Sequence, residues 1–159
     1  MSEWVLLLGG STGHGAATAK KLAADGYGII AFHFDRGEAK KIAEQTIAEV
    51  DKLSNGRCHY FNTNAASEET IYKYLPQISE ITKGEHLKLL LHSIAFGTTT
   101  NFFGDKPVTQ RQMDMTVHVM GNSLLYWTQK LYSAKLLDNG SRVIGLTSEG
   151  NYLAMEGYG

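Results

Sequence analysis

The sequence predicts an α/β protein built on a doubly wound parallel sheet of at least five strands with helices on both faces. Three observations carry this. Short β-rich apolar runs alternate with longer amphipathic ones, the order that builds a helix-covered parallel sheet rather than segregated layers. The first run, WVLLL at residues 4–8, is apolar without a break, as a strand buried on both faces must be. The connections are short, so successive units pack as right-handed crossovers.

The elements follow in order along the chain. Residues 4–8, 28–34, 58–62, 87–92 and 142–146 read as strands, each short and rich in Leu, Ile, Val or aromatic residues. Between them, residues 16–25, 38–53, 67–82 and about 109–137 carry apolar residues at helical spacing. The last begins at TQRQ, where Thr109 and Gln112 fit a capping box, and stops near Asn139-Gly140. Gly26, Gly37, Asn55-Gly56, Gly84 and Asn139-Gly140 punctuate element ends, and only Pro76 and Pro107 interrupt the chain. There is no repeat and no linker, so residues 1–159 read as one domain.

Composition narrows the function. Lys and Arg number 15 against 16 Asp and Glu, without a block of like charge, so neither nucleic acid nor a membrane is an expected partner. The lone Cys58 excludes an internal disulfide and suits a reducing compartment. No two of the six histidines share an i, i+4 spacing, and no metal site is expected. The opening apolar run is too short for a signal peptide or a membrane span. The chain is expected to be soluble and cytoplasmic.

The informative stretch is LGGSTGHGAAT, residues 8–18. A strand, a glycine-rich turn and a helix start together form a phosphate site, because free amides at the helix start point outward and the dipole favours an anion. Gly9, Gly13 and Gly15 are spaced Gly-x-x-x-Gly-x-Gly, with Ser11, Thr12 and His14 between them. The Gly-Lys-Ser/Thr of a triphosphate loop is absent.

This spacing resembles that of the short-chain dehydrogenase/reductase family, across the whole chain. The resemblance implies Rossmann-type topology, a nicotinamide dinucleotide over the turn, and assembly as a homodimer or homotetramer. The fourth strand ends LLLHSIAFG, and its His92, Ser93, Ile94 and Ala95 resemble the enoyl-acyl carrier protein reductase branch rather than the commoner Asn-Asn-Ala-Gly. Asn64 and Ala65 match the family position beside the adenine, and His14, between Gly13 and Gly15, reads as a tolerated turn residue near the nicotinamide. The second strand ends FHFDRG. There Asp35 argues for NAD and Arg36 for NADP, so NADH and NADPH both stay open.

The resemblance also implies a catalytic tyrosine, serine and lysine. Ser148 matches the serine, just past the fifth strand. Ordinary members would place the tyrosine at position 161, whereas the enoyl reductase spacing places it at 158, and residue 158 is Tyr158. Tyr152 is a second hydroxyl in that loop. The family asparagine aligns with Met120, with Asn122 two places late, so the usual ketoreductase proton relay is not expected. The implied reaction is reduction of the C=C bond of an enoyl thioester, free or on acyl carrier protein. A ketoacyl or other carbonyl reductase is the alternative within the family, and a non-catalytic dinucleotide-binding module the alternative outside it. A methyltransferase, whose nucleoside also sits over a glycine turn, is more distant. The lysine, expected at 165, lies past Gly159, so the chain is expected to be the amino-terminal part of a longer one.

Overall fold

The computed structural model describes residues 3–153. The chain order is β1 (Trp4–Leu8), α1 (Gly13–Ala24), β2 (Gly28–His33), α2 (Glu38–Leu53), β3 (Cys58–Asn62), α3 (Glu68–Thr82) and β4 (Leu87–His92). Then come α4 (Gln110–Val117), a π-helical turn (His118–Asn122), α5 (Ser123–Ser133), β5 (Arg142–Gly145) and a 3₁₀ turn (Glu149–Asn151). The five strands form one parallel sheet in the order β3-β2-β1-β4-β5. Strand order reverses at β1, which has β2 on one side and β4 on the other. In such sheets a ligand crevice opens beyond the carboxyl ends of the strands at this reversal.

Period-two alternation sorts the apolar side chains onto two faces. Trp4, Leu6, Leu8, Ile30, Phe32, Leu87 and Leu90 pack with Ile71 and Ile78 of α3 and with Trp127 and Leu131 of α5. Val5, Leu7, Ile29, Ala31 and Leu91 pack on the other face with Ala19 and Ala23 of α1 and Val50 of α2. Leu87 and Leu90 share a face although they stand three positions apart. The register between β1 and β4 slips there, Trp4 facing Leu87 and Val5 facing Leu89, and the extra residue restores the alternation.

The helix expected over residues 109–137 is interrupted. Its start is as the sequence predicts, with a full capping box between Thr109 and Gln112. Eight residues later it widens into the π-helical turn. The Ser123 hydroxyl donates to the Val119 carbonyl at 2.8 Å, four residues back. With its proton spent there, the hydroxyl accepts from Nε2 of His92, also at 2.8 Å. Insertion of a side chain into the helical ladder is a recognised cause of such turns. The helical run then ends at Ser133, while Leu136 and Leu137 stay buried beyond it. Pro76 does not interrupt the chain but lies inside α3, held by the buried Ile71 and Ile78 of that helix. β2 and β5 each stop one residue before the predicted end.

β5 pairs with β4 alone among the described residues, and all four of its residues are exposed. No helix among the described residues is long and apolar enough to cross a membrane. Burial pushes the half-buried Cys58 thiol up to about 12, so its thiolate, the reactive form, is scarce at neutral pH. Maleimide labelling of Cys58 in the folded chain should run roughly a thousandfold slower than in urea, following the thiolate fraction.

Burial also lowers the pKa of His92 from its ordinary 6.5. The folded state therefore resists a proton that the unfolded chain accepts. Its contribution is complete above pH 6.5 and declines as pH falls below that value toward the depressed one. Urea unfolding across this window should show stability falling with pH, and more weakly so in His92→Gln. Removing the partner with Ser123→Ala should cost about 1–3 kcal/mol, because it leaves a buried N–H unpaired.

Candidate functional site

The turn after β1 is shaped by close backbone crossings. The amides of Gly9 and Gly10 both donate to the carbonyl of Phe32, at 2.9 and 3.1 Å, which draws the turn over the end of β2. A Cβ on Gly15 would lie 1.7 Å from the Gly9 carbonyl oxygen, so α1 can cross the turn only with glycine there. Gly9 has φ +92° and its hydrogen side meets the backbone of Ser93. Gly13, at φ +53°, faces open space, so its requirement is conformational rather than steric.

Helix α1 begins with its amides free of side-chain caps. Thr12, at the cap position, has an extended backbone and no side-chain hydrogen bond to the helix, and no acidic residue stands in the first turn. These amides and the helix dipole suit an anion. Two further features were not read from the sequence. A Cβ on Gly10 would sit 2.7 Å from that of Ala31. Tyr60, on β3, donates its hydroxyl to the Gly10 carbonyl at 3.1 Å, and burial raises its pKa, keeping it a donor. Neither feature leaves a sequence signal, because both depend on the pairing of β1, β2 and β3.

A cleft of about 430 Å³ opens over the carboxyl ends of the strands. Its floor and walls come from the turn (Gly9, Ser11, Thr12), from β2 and its end (Phe32, His33, Phe34) and from the segment after β3 (Thr63, Asn64, Ala65). The end of β4 contributes Ser93, Ile94, Ala95 and Phe96, and the α4 side contributes Met115 and Val119. The cleft thus gathers Gly9, Ser11, Thr12, Asn64, Ala65, Ser93, Ile94 and Ala95 of the predicted dinucleotide residues. Gly13, His14 and Gly15 form the helix start beside it rather than its lining, with His14 exposed.

The segment after β3 is held from above. Trp127 Nε1 donates to the Ala65 carbonyl at 2.8 Å, and His118 Nε2 donates to the Ala66 carbonyl at 2.9 Å. Asn64 turns its side-chain oxygen back onto the Ala66 amide at 3.0 Å. Trp127 also packs on Phe32, with ring centroids 5.0 Å apart, so one side chain supports two walls of the cleft.

The two candidates for cofactor choice lie differently. Asp35 accepts from Nδ1 of the buried His33 at 2.8 Å. Arg36 lays its guanidinium 4.5 Å over the ring of Phe34. Neither lines the cleft, whereas His33 and Phe34 do.

Ser148 and Tyr152 lie apart from the cleft lining. Ser148 caps the 3₁₀ turn, its oxygen accepting from the Gly150 amide at 3.2 Å. Tyr152 is 75% exposed. Tyr158 lies outside the described residues. Met120, where the family asparagine aligns, is 41% exposed on the π-helical turn, so that turn bears no amide at this position. No group of three or more acidic, His or Cys side chains that could hold a metal occurs among the described residues.

The pattern of the short chain dehydrogenase family matches residues 3–158, and the chain belongs to that family. Among solved structures, a short-chain dehydrogenase/reductase from Serratia marcescens is similar, with 20% identity, TM-score 0.77 and coverage of 96% of this chain and 58% of that one. An Escherichia coli oxidoreductase, yciK, is similar with 16% identity, TM-score 0.78 and coverage of 99% of this chain and 62% of that one. At these identities the likeness is one of fold. The chain spans about three-fifths of the length of both structures.

Replacing Gly15 by Ala should abolish tight dinucleotide binding and lower the melting temperature, since the added methyl meets backbone that cannot yield. Titration of cofactor fluorescence alongside thermal unfolding checks both. Gly13→Ala, which meets nothing but a strained φ, should cost only about 1 kcal/mol or somewhat more in stability.

Proposed function

We propose that this chain is the dinucleotide-binding part of an NAD(P)H-dependent oxidoreductase that reduces the C=C bond of an enoyl thioester. The observation that carries the reading is the cleft at the strand-order reversal, closed on one side by a glycine turn in which Gly9, Gly10 and Gly15 leave no room for a Cβ. The residues present fit the cofactor. The free amides at the start of α1 suit its pyrophosphate, and Asn64, Ala65 and the ends of β2 and β4 offer polar and apolar walls for its nucleoside. When bound, the dinucleotide supplies the hydride.

The chain's own contribution is to bind, orient and stabilise charge. Hydride addition at the β-carbon would leave negative charge on the thioester oxygen, where Tyr158 would donate a hydrogen bond, and the α-carbon would take its proton from solvent. A phenol of ordinary pKa near 10 needs a nearby cation to move a proton at neutral pH, and a hydrogen-bonding role does not require that. The Ser93-Ile94-Ala95 end of β4, with His92 held under it, supports enoyl rather than keto reduction through its likeness to that branch. Ser148, three positions past the end of β5, supports a carbonyl reductase equally. The exposed edge of β5 supports a continuing chain that supplies the lysine and the rest of the substrate site, and intact mass tests that directly.

Purified protein should consume NADH or NADPH, followed by loss of nicotinamide absorbance, with a crotonyl thioester and more slowly with an acetoacetyl thioester. Tyr158→Phe should lower kcat by about a hundredfold or more, with a small effect on cofactor binding, as for loss of one placed donor at developing charge. The opposite substrate order would establish a carbonyl reductase. Cofactor binding without turnover of either thioester would establish a non-catalytic binding module.

A further inference from the structure

Tyr60 reaches from β3 to the turn after β1, across the strand that lies between them. Leu7, Ala31 and Tyr60 stand opposite one another in register on β1, β2 and β3, on the sheet face that α1 covers. With alanine at 31 and glycine at 10, the turn and the phenol come close enough for a direct bond. A Cβ on Gly10 would meet the Ala31 Cβ at 2.7 Å, the Tyr60 ring at 3.5 Å and Leu7 at 3.6 Å. The Tyr60 hydroxyl donates to the Gly10 carbonyl at 3.1 Å, and burial keeps the phenol protonated. The turn is already drawn onto β2 by the Gly9 and Gly10 amides on the Phe32 carbonyl, so this bond adds a direction rather than a closure.

The direction is that of one peptide plane. A peptide group is planar, and its carbonyl and N–H point opposite ways. Holding the Gly10 carbonyl on Tyr60 therefore fixes the Ser11 amide, on the same plane, in the opposite direction. Ser11 is 5% exposed and lines the cleft, yet its amide meets no acceptor among the described residues. Its neighbours differ: the Gly10 amide is taken by Phe32, and the next amide with a partner is that of Ala16, on the Thr12 carbonyl at 3.1 Å. Enclosed backbone N–H groups are nearly always paired, so one left without an acceptor beside a cleft is a donor for what the cleft holds. Resting on the reading of the cleft as a dinucleotide site, we propose that Tyr60 is a positioning residue: by holding the Gly10 carbonyl it aims the Ser11 amide at the pyrophosphate of the cofactor. Tyr60 is not among the residues that line the cleft, and it acts through this single plane. Because an amide bonds a charged oxygen more strongly than a neutral one, the effect belongs to the phosphates and not to the nucleoside.

The test is binding of NADH, ADP and adenosine to the full chain, by calorimetry for the first two and by NMR titration for adenosine. Tyr60→Phe removes the hydroxyl and keeps the ring. It should weaken NADH and ADP by about tenfold and adenosine by about twofold or less. Ser54→Ala is the control for general loosening. The Ser54 hydroxyl bonds the Asp51 carbonyl at 3.2 Å where α2 ends, at the opposite edge of the sheet from the cleft, and its loss should leave all three ligands within about twofold. In the intact chain, ADP should slow hydrogen exchange of the Ser11 amide and adenosine should not, a measurement that needs no variant to fold. Unchanged NADH binding in Y60F, equal losses of ADP and adenosine, an equal loss in S54A, or a Ser11 amide indifferent to ADP overturns the role of Tyr60 and leaves the dinucleotide site standing. Binding of neither NADH nor ADP by the intact chain overturns the dinucleotide reading, and this inference with it.

Discussion

The site depends on one close crossing, where the first turn of α1 passes over the carbonyl of Gly9 with no room for a methyl group. That crossing brings the helix start down beside the strand ends, next to the cleft that Gly9, Ser11 and Thr12 line. It is secured from below by two amides sharing the Phe32 carbonyl and from the side by the Tyr60 hydroxyl on Gly10. The same β2 residue, Phe32, bears the aromatic packing that reaches Trp127. The turn, the cleft floor and the opposite helical layer are therefore one connected piece of packing, and the shape of the turn follows from backbone geometry more than from any side chain.

A second connection ties β4 to the helix that overlies it. His92 ends the strand and bonds the Ser123 hydroxyl, which in turn holds the Val119 carbonyl. Val119 and the residues after His92 both line the cleft. The π-helical turn is thus a local cost in regular helix geometry that lets His118 reach the Ala66 carbonyl while Trp127 reaches that of Ala65. The two carbonyls are neighbours on the segment beside Asn64. Loss of regularity in the helix is matched by fixed geometry in the wall it covers.

Much of the fold is legible in the sequence because it follows from periodicity. The unbroken apolar run of β1 and the alternation in β2 place strands, and helical spacing and turn residues bound the helices to within a few residues. The glycine spacing marks the tight turn between β1 and α1 without structural help, since that backbone needs those residues. The interruption at residues 118–122 is not legible: the apolar spacing continues through it, and its cause is a histidine thirty-one residues away on another element. Likewise Leu87 shares a face with Leu90 through a register slip that depends on β1, which no pattern within β4 encodes.

The division at the site has the same origin. By itself the sequence determined the family, the doubly wound sheet, the turn and the strand ends that line the cleft, because each is set by local propensity or by spacing along the chain. Only tertiary structure decided which side chains face the cleft. Asp35 and Arg36 both stand where a sequence reading puts the cofactor choice, but their directions are set by a buried imidazole and an aromatic ring. His33 looks like an ordinary strand residue until β3 and the cleft are in place around it. Burial and direction are properties of neighbours, and neighbours come from different elements of the chain.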